Sequence, residues 1–174
     1  MRSRLRRLTV LCTTFAVTAL AAAEGMTLKQ IASLRSVTDA VINPDGDLIA
    51  YTLSVPRELM VEDDGAAWSE LHVIGEDGES RPFITGNVSV RSIGWMPDGS
   101  AITFLAKRDG DDHIRLYAVP VDGGEARQIA TLATSISSYS FSPDGSSVAL
   151  LAFEPEDAER KKEKDLGFDQ YVFE

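Results

Sequence analysis

The stretch Phe141-Ser142-Pro143-Asp144-Gly145-Ser146-Ser147-Val148-Ala149-Leu150 is one of three related copies in this chain. The other two are Ile42-Asn43-Pro44-Asp45-Gly46-Asp47-Leu48-Ile49-Ala50-Tyr51 and Trp95-Met96-Pro97-Asp98-Gly99-Ser100-Ala101-Ile102-Thr103-Phe104. Their prolines lie 53 and 46 residues apart. A repeat of about 40–50 residues built on short strands is typical of the blades of a β-propeller.

Each copy has the sequence of a β-hairpin. Proline presets φ for the first corner of a tight turn, aspartate bonds to the local backbone, and glycine accepts the positive φ that lets the chain reverse. The flanks also match: a large apolar residue two positions before the proline (Ile42, Trp95, Phe141), a β-branched one five after it (Ile49, Ile102, Val148), a small one six after it (Ala50, Thr103, Ala149) and a large one seven after it (Tyr51, Phe104, Leu150). Such residues favour strands that are covered on both faces, as neighbouring blades would cover them.

The N-terminus has the three regions of a secretory signal peptide. Residues 1–7 hold four arginines and no acid, residues 8–20 are mostly apolar, and Ala21-Ala22-Ala23 follow. We therefore predict a signal peptide over residues 1–23, cleaved after Ala23, and export to the periplasm or the medium. A membrane anchor is the alternative, but the apolar stretch is shorter than the roughly 20 residues that a spanning helix needs.

The composition limits the classes of partner. The single cysteine, Cys12, lies inside the signal peptide and follows Leu11, which argues against a lipoprotein, so we predict no disulfide in the exported chain. Without the four leader arginines the formal charge changes from −10 to −14. An acidic surface disfavours nucleic acid, and it disfavours anionic membrane after signal cleavage.

The remaining chain divides into a short N-terminal segment and three units of an all-β fold. Residues 24–36 contain a predicted helix over 27–34, capped by Thr27 and expected to pack on the first blade. Blade 1 spans 37–87, with strands at 38–43, 48–55, 71–74 and 81–85. Blade 2 spans 88–134, with strands at 90–95, 101–107, 114–119 and 127–131. Blade 3 spans 135–174, with strands at 137–141, 148–153 and 171–173, and a solvated loop or short helix over 154–169.

The third blade is predicted to be partial. Tyr171-Val172-Phe173 aligns with Leu71-His72-Val73 and Leu116-Tyr117-Ala118, which begin the third strands of the earlier blades. Propellers have four to eight blades, and an open ring leaves strand edges unpaired. We expect an incomplete propeller of about three four-stranded antiparallel blades that is the N-terminal piece of a longer protein. The alternative is a ring assembled from the blades of several chains.

No stretch of the sequence predicts a catalytic, cofactor-binding or metal-binding residue. His72 lies between two apolar strand residues and His113 beside an acidic turn, and neither belongs to a spaced set of metal ligands. The acidic clusters 62–64 and 109–112 match no calcium loop and are read as solvated hairpin tips. No serine has glycines both two before and two after it, so the nucleophile elbow of a serine hydrolase is missing from the sequence.

The hairpins and the third-strand sequence Leu116-Tyr117-Ala118-Val119-Pro120-Val121-Asp122-Gly123-Gly124 resemble two related groups. One is the TolB-like periplasmic propellers, with WD40-like repeats. The other is the N-terminal propeller of the prolyl oligopeptidase family of serine peptidases, especially its acylaminoacyl-peptidase and dipeptidyl-peptidase-like branches. The opening Met26-Thr27-Leu28-Lys29-Gln30-Ile31, the acidic insertion after Pro56 and the charged segment 154–164 are more similar to the peptidases. The resemblance covers residues 28–174.

The resemblance to the peptidases implies a propeller that covers a C-terminal α/β-hydrolase domain and admits only short peptides. The Ser-Asp-His triad of that family belongs to the hydrolase domain, so no catalytic residue is carried over to this chain. The alternative implied by the TolB-like group is a non-catalytic periplasmic propeller that binds another protein. In either case we expect the chain by itself to hydrolyse no peptide p-nitroanilide.

Overall fold

The computed structural model of the protein describes residues 25–167. Ten strands and two short helices lie in this range: α1 (Leu28–Ala32), β1 (Ser36–Ile42), β2 (Leu48–Val55), β3 (Trp68–Gly75), β4 (Ser80–Ile84), β5 (Arg91–Trp95), β6 (Ala101–Ala106), β7 (Arg115–Pro120), β8 (Arg127–Ala130), β9 (Ile136–Phe141), β10 (Val148–Ala152) and α2 (Ala158–Asp165). The signal peptide predicted for 1–23 and the strand predicted for 171–173 lie outside the described residues.

The strands form three antiparallel sheets that follow one another along the chain. Sheet A has the order β1-β2-β3-β4, sheet B has the order β5-β6-β7-β8, and sheet C consists of β9 and β10. Each sheet is a meander, because consecutive strands are neighbours. The described chain is therefore an incomplete β-propeller with two four-stranded blades and the first two strands of a third, as the repeat predicts.

The three Pro-Asp-Gly turns share one backbone geometry. Gly46, Gly99 and Gly145 have φ of 83°, 72° and 68°. The N–H of each glycine donates to the carbonyl oxygen three residues earlier, over 3.1, 2.8 and 2.9 Å respectively. These glycines occupy the left-handed region, which a residue with a Cβ adopts only at a cost. The local sequence thus fixes the hairpins, as expected.

The same turns stack on one another in chain order. A Cβ built on Gly99 would lie 3.5 Å from Asp45 Oδ2 and 3.8 Å from Pro44 Cδ, and one on Gly145 would lie 3.7 Å from Pro97 Cδ. Each glycine therefore rests on the proline turn of the preceding sheet. The motif that reverses the chain also sets the spacing between neighbouring blades at that end.

Two apolar layers hold the three sheets together. Between sheets A and B, the large side chains Trp95, Ile102 and Phe104 of sheet B pack with Ala50 and Leu71 of sheet A. These belong to one continuous buried cluster. Apolar burial of this kind is the main favourable contribution to folding, at about 25 cal/mol for each Å² removed from water.

The layer between sheets B and C repeats this arrangement one blade further on. Phe141, Val148 and Leu150 of sheet C pack against the buried Leu105 and Leu116 of sheet B. Sheet B is thus covered on both of its faces. Sheets A and C are each covered on one.

Two sheet faces remain open within the described residues. The free face of sheet A carries Ile42, Ile49 and Tyr51, of which Ile42 is 64% exposed and Ile49 38% exposed. The free face of sheet C carries Ala149 and Leu151, and Leu151 is 64% exposed. The prediction that all second strands are covered on both faces holds for β6 alone, because only sheet B has a sheet on each side.

Helix α1 begins at the predicted cap. The Gln30 N–H donates to Thr27 Oγ1 over 3.2 Å, and the Thr27 N–H donates to Gln30 Oε1 over 2.8 Å, which is a capping box. The prediction that this helix packs on the first blade is wrong, since Leu28, Ile31 and Leu34 are all exposed. A helix of five residues has too few turns to lay an apolar stripe on a sheet.

Candidate functional site

The first strands of the three sheets lie side by side and form the inner edge of the blades. Trp95 Nε1 in β5 donates to the Val41 carbonyl oxygen in β1 over 3.1 Å. Tyr139 in β9 donates through its hydroxyl to the Ser92 carbonyl oxygen in β5 over 2.8 Å. Because β4 and β8 form the opposite edges of their sheets, β1, β5 and β9 line the side that faces the propeller axis.

A cleft of about 370 Å³ opens between the inner strands β5 and β9. Its walls are the aromatic side chains of Trp95, Tyr139 and Phe141, and the turn residues Pro97 and Pro143 close one end. The rings of Tyr139 and Phe141 meet edge to face, with centroids 5.8 Å apart. Among the described residues, this is the candidate functional site, because it combines aromatic walls with a position at the inner edge.

A backbone irregularity in β5 shapes the floor of the cleft. The pairing of β5 with β6 shifts register between Arg91 and Gly94. Ser92, inside this shift, has φ of 50°, which is unusual for a residue with a side chain. The bulge turns the Ser92 carbonyl oxygen toward sheet C, where it accepts the hydrogen bond from Tyr139.

Gly94 gives the Tyr139 hydroxyl its place. A Cβ at this position would lie 3.1 Å from Tyr139 Oη and 3.3 Å from Thr103 Oγ1, closer than ordinary packing allows. The two hydroxyls are 2.8 Å apart and hydrogen bonded, and Thr103 is fully buried. The other two repeats carry Val41 and Ser140 at the matching position, which was the sequence signal for this contact.

The chemistry of the cleft is that of a binding surface. Burial raises the pKa of Tyr139 to about 12, the nearby Asp39 adds to the increase, and the hydrogen bond with Thr103 opposes it. The phenol is therefore neutral at physiological pH and acts as a hydrogen-bond donor. Aromatic and proline side chains with a few backbone polar groups suit an extended peptide or an apolar side chain.

The two histidines occupy structural positions. His72 Nε2 lies 3.1 Å from Glu70 Oε2, and its ring stacks on Tyr51 with centroids 5.5 Å apart. His72 faces the less buried side of β3, as predicted, since its neighbours Leu71 and Val73 are fully buried. His113 is partly buried beside β7. Residues 25–167 contain no group of three His, Cys, Asp or Glu residues that could hold a metal ion.

The reading of residues 109–112 as a solvated tip is wrong for Asp111. Its side chain is only 7% exposed and lies 3.2 Å from Arg115 Nε. It accepts hydrogen bonds from the Tyr117 hydroxyl over 2.6 Å and the Arg108 N–H over 2.9 Å. Burial by itself would raise the pKa of Asp111, but these hydrogen bonds and the two arginines outweigh it and hold the pKa below its usual range.

Glu62 in the other acidic cluster also has a structural partner. It accepts hydrogen bonds from Trp68 Nε1 over 2.9 Å and from the Glu58 N–H over 2.6 Å. Arg57 lies over the Trp68 ring, 4.1 Å from its centroid, and donates from Nε to the Ala66 carbonyl oxygen. The hydrogen bond from Trp68 is the main reason that the pKa of Glu62 is lowered. The loop between β2 and β3 is thus fixed rather than merely solvated.

This fixed loop presents a second surface beside α1. It holds Leu59, Met60 and Val61 in solvent, with Met60 at φ of 66°. A groove of about 310 Å³ separates the loop from α1 and is lined by Lys29 and Arg35 among others. None of the helices in residues 25–167 has the length and apolar character needed to cross a membrane.

Comparisons with known proteins were made at the level of families, sequences and structures. No protein-family model matches the chain, and no curated protein matches it. Among solved structures, an oligogalacturonate lyase in complex with manganese is similar, with a TM-score of 0.47 and 24% sequence identity. The match covers 65% of this chain and 29% of that chain.

Proposed function

We propose that this chain is the propeller part of an exported serine peptidase that resembles the prolyl oligopeptidase family. In this proposal the propeller limits access to an α/β-hydrolase domain of the same protein, so that only short peptides reach it. The observation that carries the proposal is the order of its parts: a capped helix leads directly into blades that open with stacked Pro-Asp-Gly hairpins. The peptidase propellers that the sequence resembles begin in the same order.

The inner strands support a role in admitting peptides. Asp39, Ser92 and Ser138 occupy the same position in β1, β5 and β9, and all three are exposed and polar. A polar inner edge suits a water-filled passage around the axis of a propeller. The aromatic cleft beside Tyr139 would then contact apolar side chains of a peptide that passes along this edge.

Export is part of the same proposal. We expect the protein recovered from the periplasm or the medium to begin at Glu24, which N-terminal sequencing would establish. A protein that begins at Met1 and stays with the cells would contradict it.

The peptidase proposal is tested on the natural protein. An antibody raised against residues 25–167 would be used to isolate the polypeptide that carries this chain from its source cells. We expect that polypeptide to react with a fluorophosphonate probe and to hydrolyse peptide p-nitroanilides, and we expect prior treatment with a serine-reactive inhibitor to abolish both signals. The recombinant chain alone, labelled in parallel, should show neither.

An isolated polypeptide that binds no probe and cleaves no peptide would overturn the peptidase proposal. Sequencing of the gene beyond the codon for Glu174 gives an independent test. A G-x-S-x-G motif followed by a later Asp and His would agree with the proposal. A stop codon soon after the last blade would favour the non-catalytic, TolB-like alternative.

A further inference from the structure

The two interfaces between sheets follow one rule. Numbered from the proline of its turn, each sheet presents its residues at −2, +5 and +7 to the sheet before it. For sheet B these are Trp95, Ile102 and Phe104, and they pack with Ala50, at +6 in sheet A. Thr52, at +8 in sheet A, is buried as well.

Sheet C repeats the rule one blade later. Its residues at −2, +5 and +7 are Phe141, Val148 and Leu150, and they pack on Leu105, at +8 in sheet B. Thr103, at +6 in sheet B, is fully buried and bonds to Tyr139. Large side chains on one sheet thus meet a small and a medium-sized side chain on the sheet before it.

The free faces of sheets A and C are the two unmatched halves of this interface. The free face of sheet A has Ile42, Ile49 and Tyr51 at −2, +5 and +7, the large set. The free face of sheet C has Ala149 and Leu151 at +6 and +8, the small and medium-sized set. One chain therefore carries both halves of the contact that joins its own blades.

The polar residues around these faces are compatible with contact. Ser138 and Ser140 pair with Leu151 and Ala149, so they share the free face of sheet C, and both are uncharged. On sheet A, Glu70 already lies against His72. No like charge from sheet C would oppose this carboxylate, so burial of the two faces would place no repulsive pair between them.

We propose that two copies of this chain bind head to tail, with the free face of sheet A on one copy against the free face of sheet C on the other. Both halves follow the internal interfaces in residue type and position, which identifies a second copy as a fitting occupant. Two copies supply six blades, within the four to eight that close a propeller. A head-to-tail contact of this kind is heterologous, so it closes into a ring only if the rotation between copies permits.

This inference goes beyond the proposed function and does not depend on it. The mature chain, residues 24–174, would be studied by sedimentation equilibrium over a hundredfold range of concentration. We expect its average mass to rise from that of a monomer to that of a dimer or larger assembly. A mass that remains monomeric throughout would overturn the proposal, and would agree with faces reserved for further blades of a longer polypeptide.

Two substitutions separate the two faces. Ile49→Asp places a charge on the free face of sheet A, and Leu151→Asp places one on the free face of sheet C. Both residues are exposed, so each variant should keep its β-sheet circular dichroism spectrum. We expect each variant alone to remain monomeric, because every copy then lacks the same half of the contact.

An equimolar mixture of the two variants gives the decisive result. The intact sheet C of the Ile49→Asp chain can still bind the intact sheet A of the Leu151→Asp chain, so we expect a one-to-one heterodimer and no larger assembly. The double variant, with both charges on one chain, should stay monomeric alone and bind neither single variant as strongly as the single variants bind each other. A mixture that remains monomeric, or a single variant that still dimerises, would overturn the head-to-tail contact.

Discussion

Sheets A and B are built from the same repeat, yet their second strands have different surroundings. All six residues of β6 are buried in sheet B. In β2 of sheet A only Ala50 and Thr52 are buried. The matching residues are of similar size and type, so the difference in burial comes from the sheets on either side. Sheet B has two neighbours within the described residues, and sheet A has one.

The comparison shows what a blade contributes and what its neighbours add. Hairpin geometry is the same in both sheets, since the Pro-Asp-Gly turns carry the same backbone bonds. The burial of apolar surface, which is the main source of stability, differs. Substitutions at matched positions in the two sheets should therefore have unequal effects, and the size of each difference measures the second neighbour.

The largest difference is expected at the position seven residues after the turn proline. Phe104→Ala should lower the free energy of unfolding by about 3–5 kcal/mol, because it leaves a cavity in the layer between two sheets. Tyr51→Ala, the matched change in sheet A, should cost about 1 kcal/mol, since it loses a ring contact with His72 and a hydrogen bond with Ser80 on a half-exposed face. Urea unfolding followed by circular dichroism measures both. Equal losses would contradict the comparison.

The third strands of the two sheets are held by different pairs. Tyr117 in sheet B bonds to the nearly buried Asp111, where sheet A has His72 beside Glu70. Asp111→Ala should cost about 2 kcal/mol at neutral pH, because hydrogen bonds to a charged group are lost. Asp109→Ala, at an exposed position of the same turn, is the matched control and should cost less than about 0.5 kcal/mol.

The contribution of Asp111 should also depend on pH in a defined direction. Its pKa in the folded chain is lowered, so the stabilisation is fully present above the pKa of the unfolded chain, about 3.9, and is lost as the pH falls through the folded value. The difference in unfolding free energy between the natural chain and Asp111→Ala should therefore shrink below about pH 4. A difference that stays constant down to pH 2 would show that the carboxylate charge is not involved.

Sheet B also depends on a glycine that sheet A does not have. Gly94→Ala should cost about 1–2 kcal/mol, because the added Cβ crowds the hydroxyls of Tyr139 and Thr103 at the interface with sheet C. Ser140→Ala occupies the matching, exposed position in β9 and should be nearly neutral. Denaturant midpoints of the two variants, measured beside the natural chain, test this. If Gly94→Ala is neutral, the close approach of Tyr139 does not constrain the interface.

The sequence predicts the hairpins and the order of the strands well, because both depend on local chemistry. Proline and glycine act within four residues, and the alternation of residue types in β2 and β6 sets their pairing. The exposure of Ile42 and Ile49 could not be read in the same way, because it depends on which sheets are present. Asp111 was missed for a related reason: its partner Tyr117 lies on the next strand, although the spacing of Asp111 and Arg115 gave a weak signal.

The smallest effect is expected where an indole N–H joins two sheets. Trp95→Phe gives sheet B the residue type that sheet C has at Phe141, and it removes the hydrogen bond to the Val41 carbonyl oxygen of sheet A. We expect a loss of about 1 kcal/mol, the usual net value of one hydrogen bond. Trp68→Phe removes an indole hydrogen bond of similar length, to Glu62 in the loop of sheet A. That loop can open without separating the sheets, so the second variant should lose less in global unfolding by circular dichroism, and an equal loss would mean that the loop unfolds together with the blades.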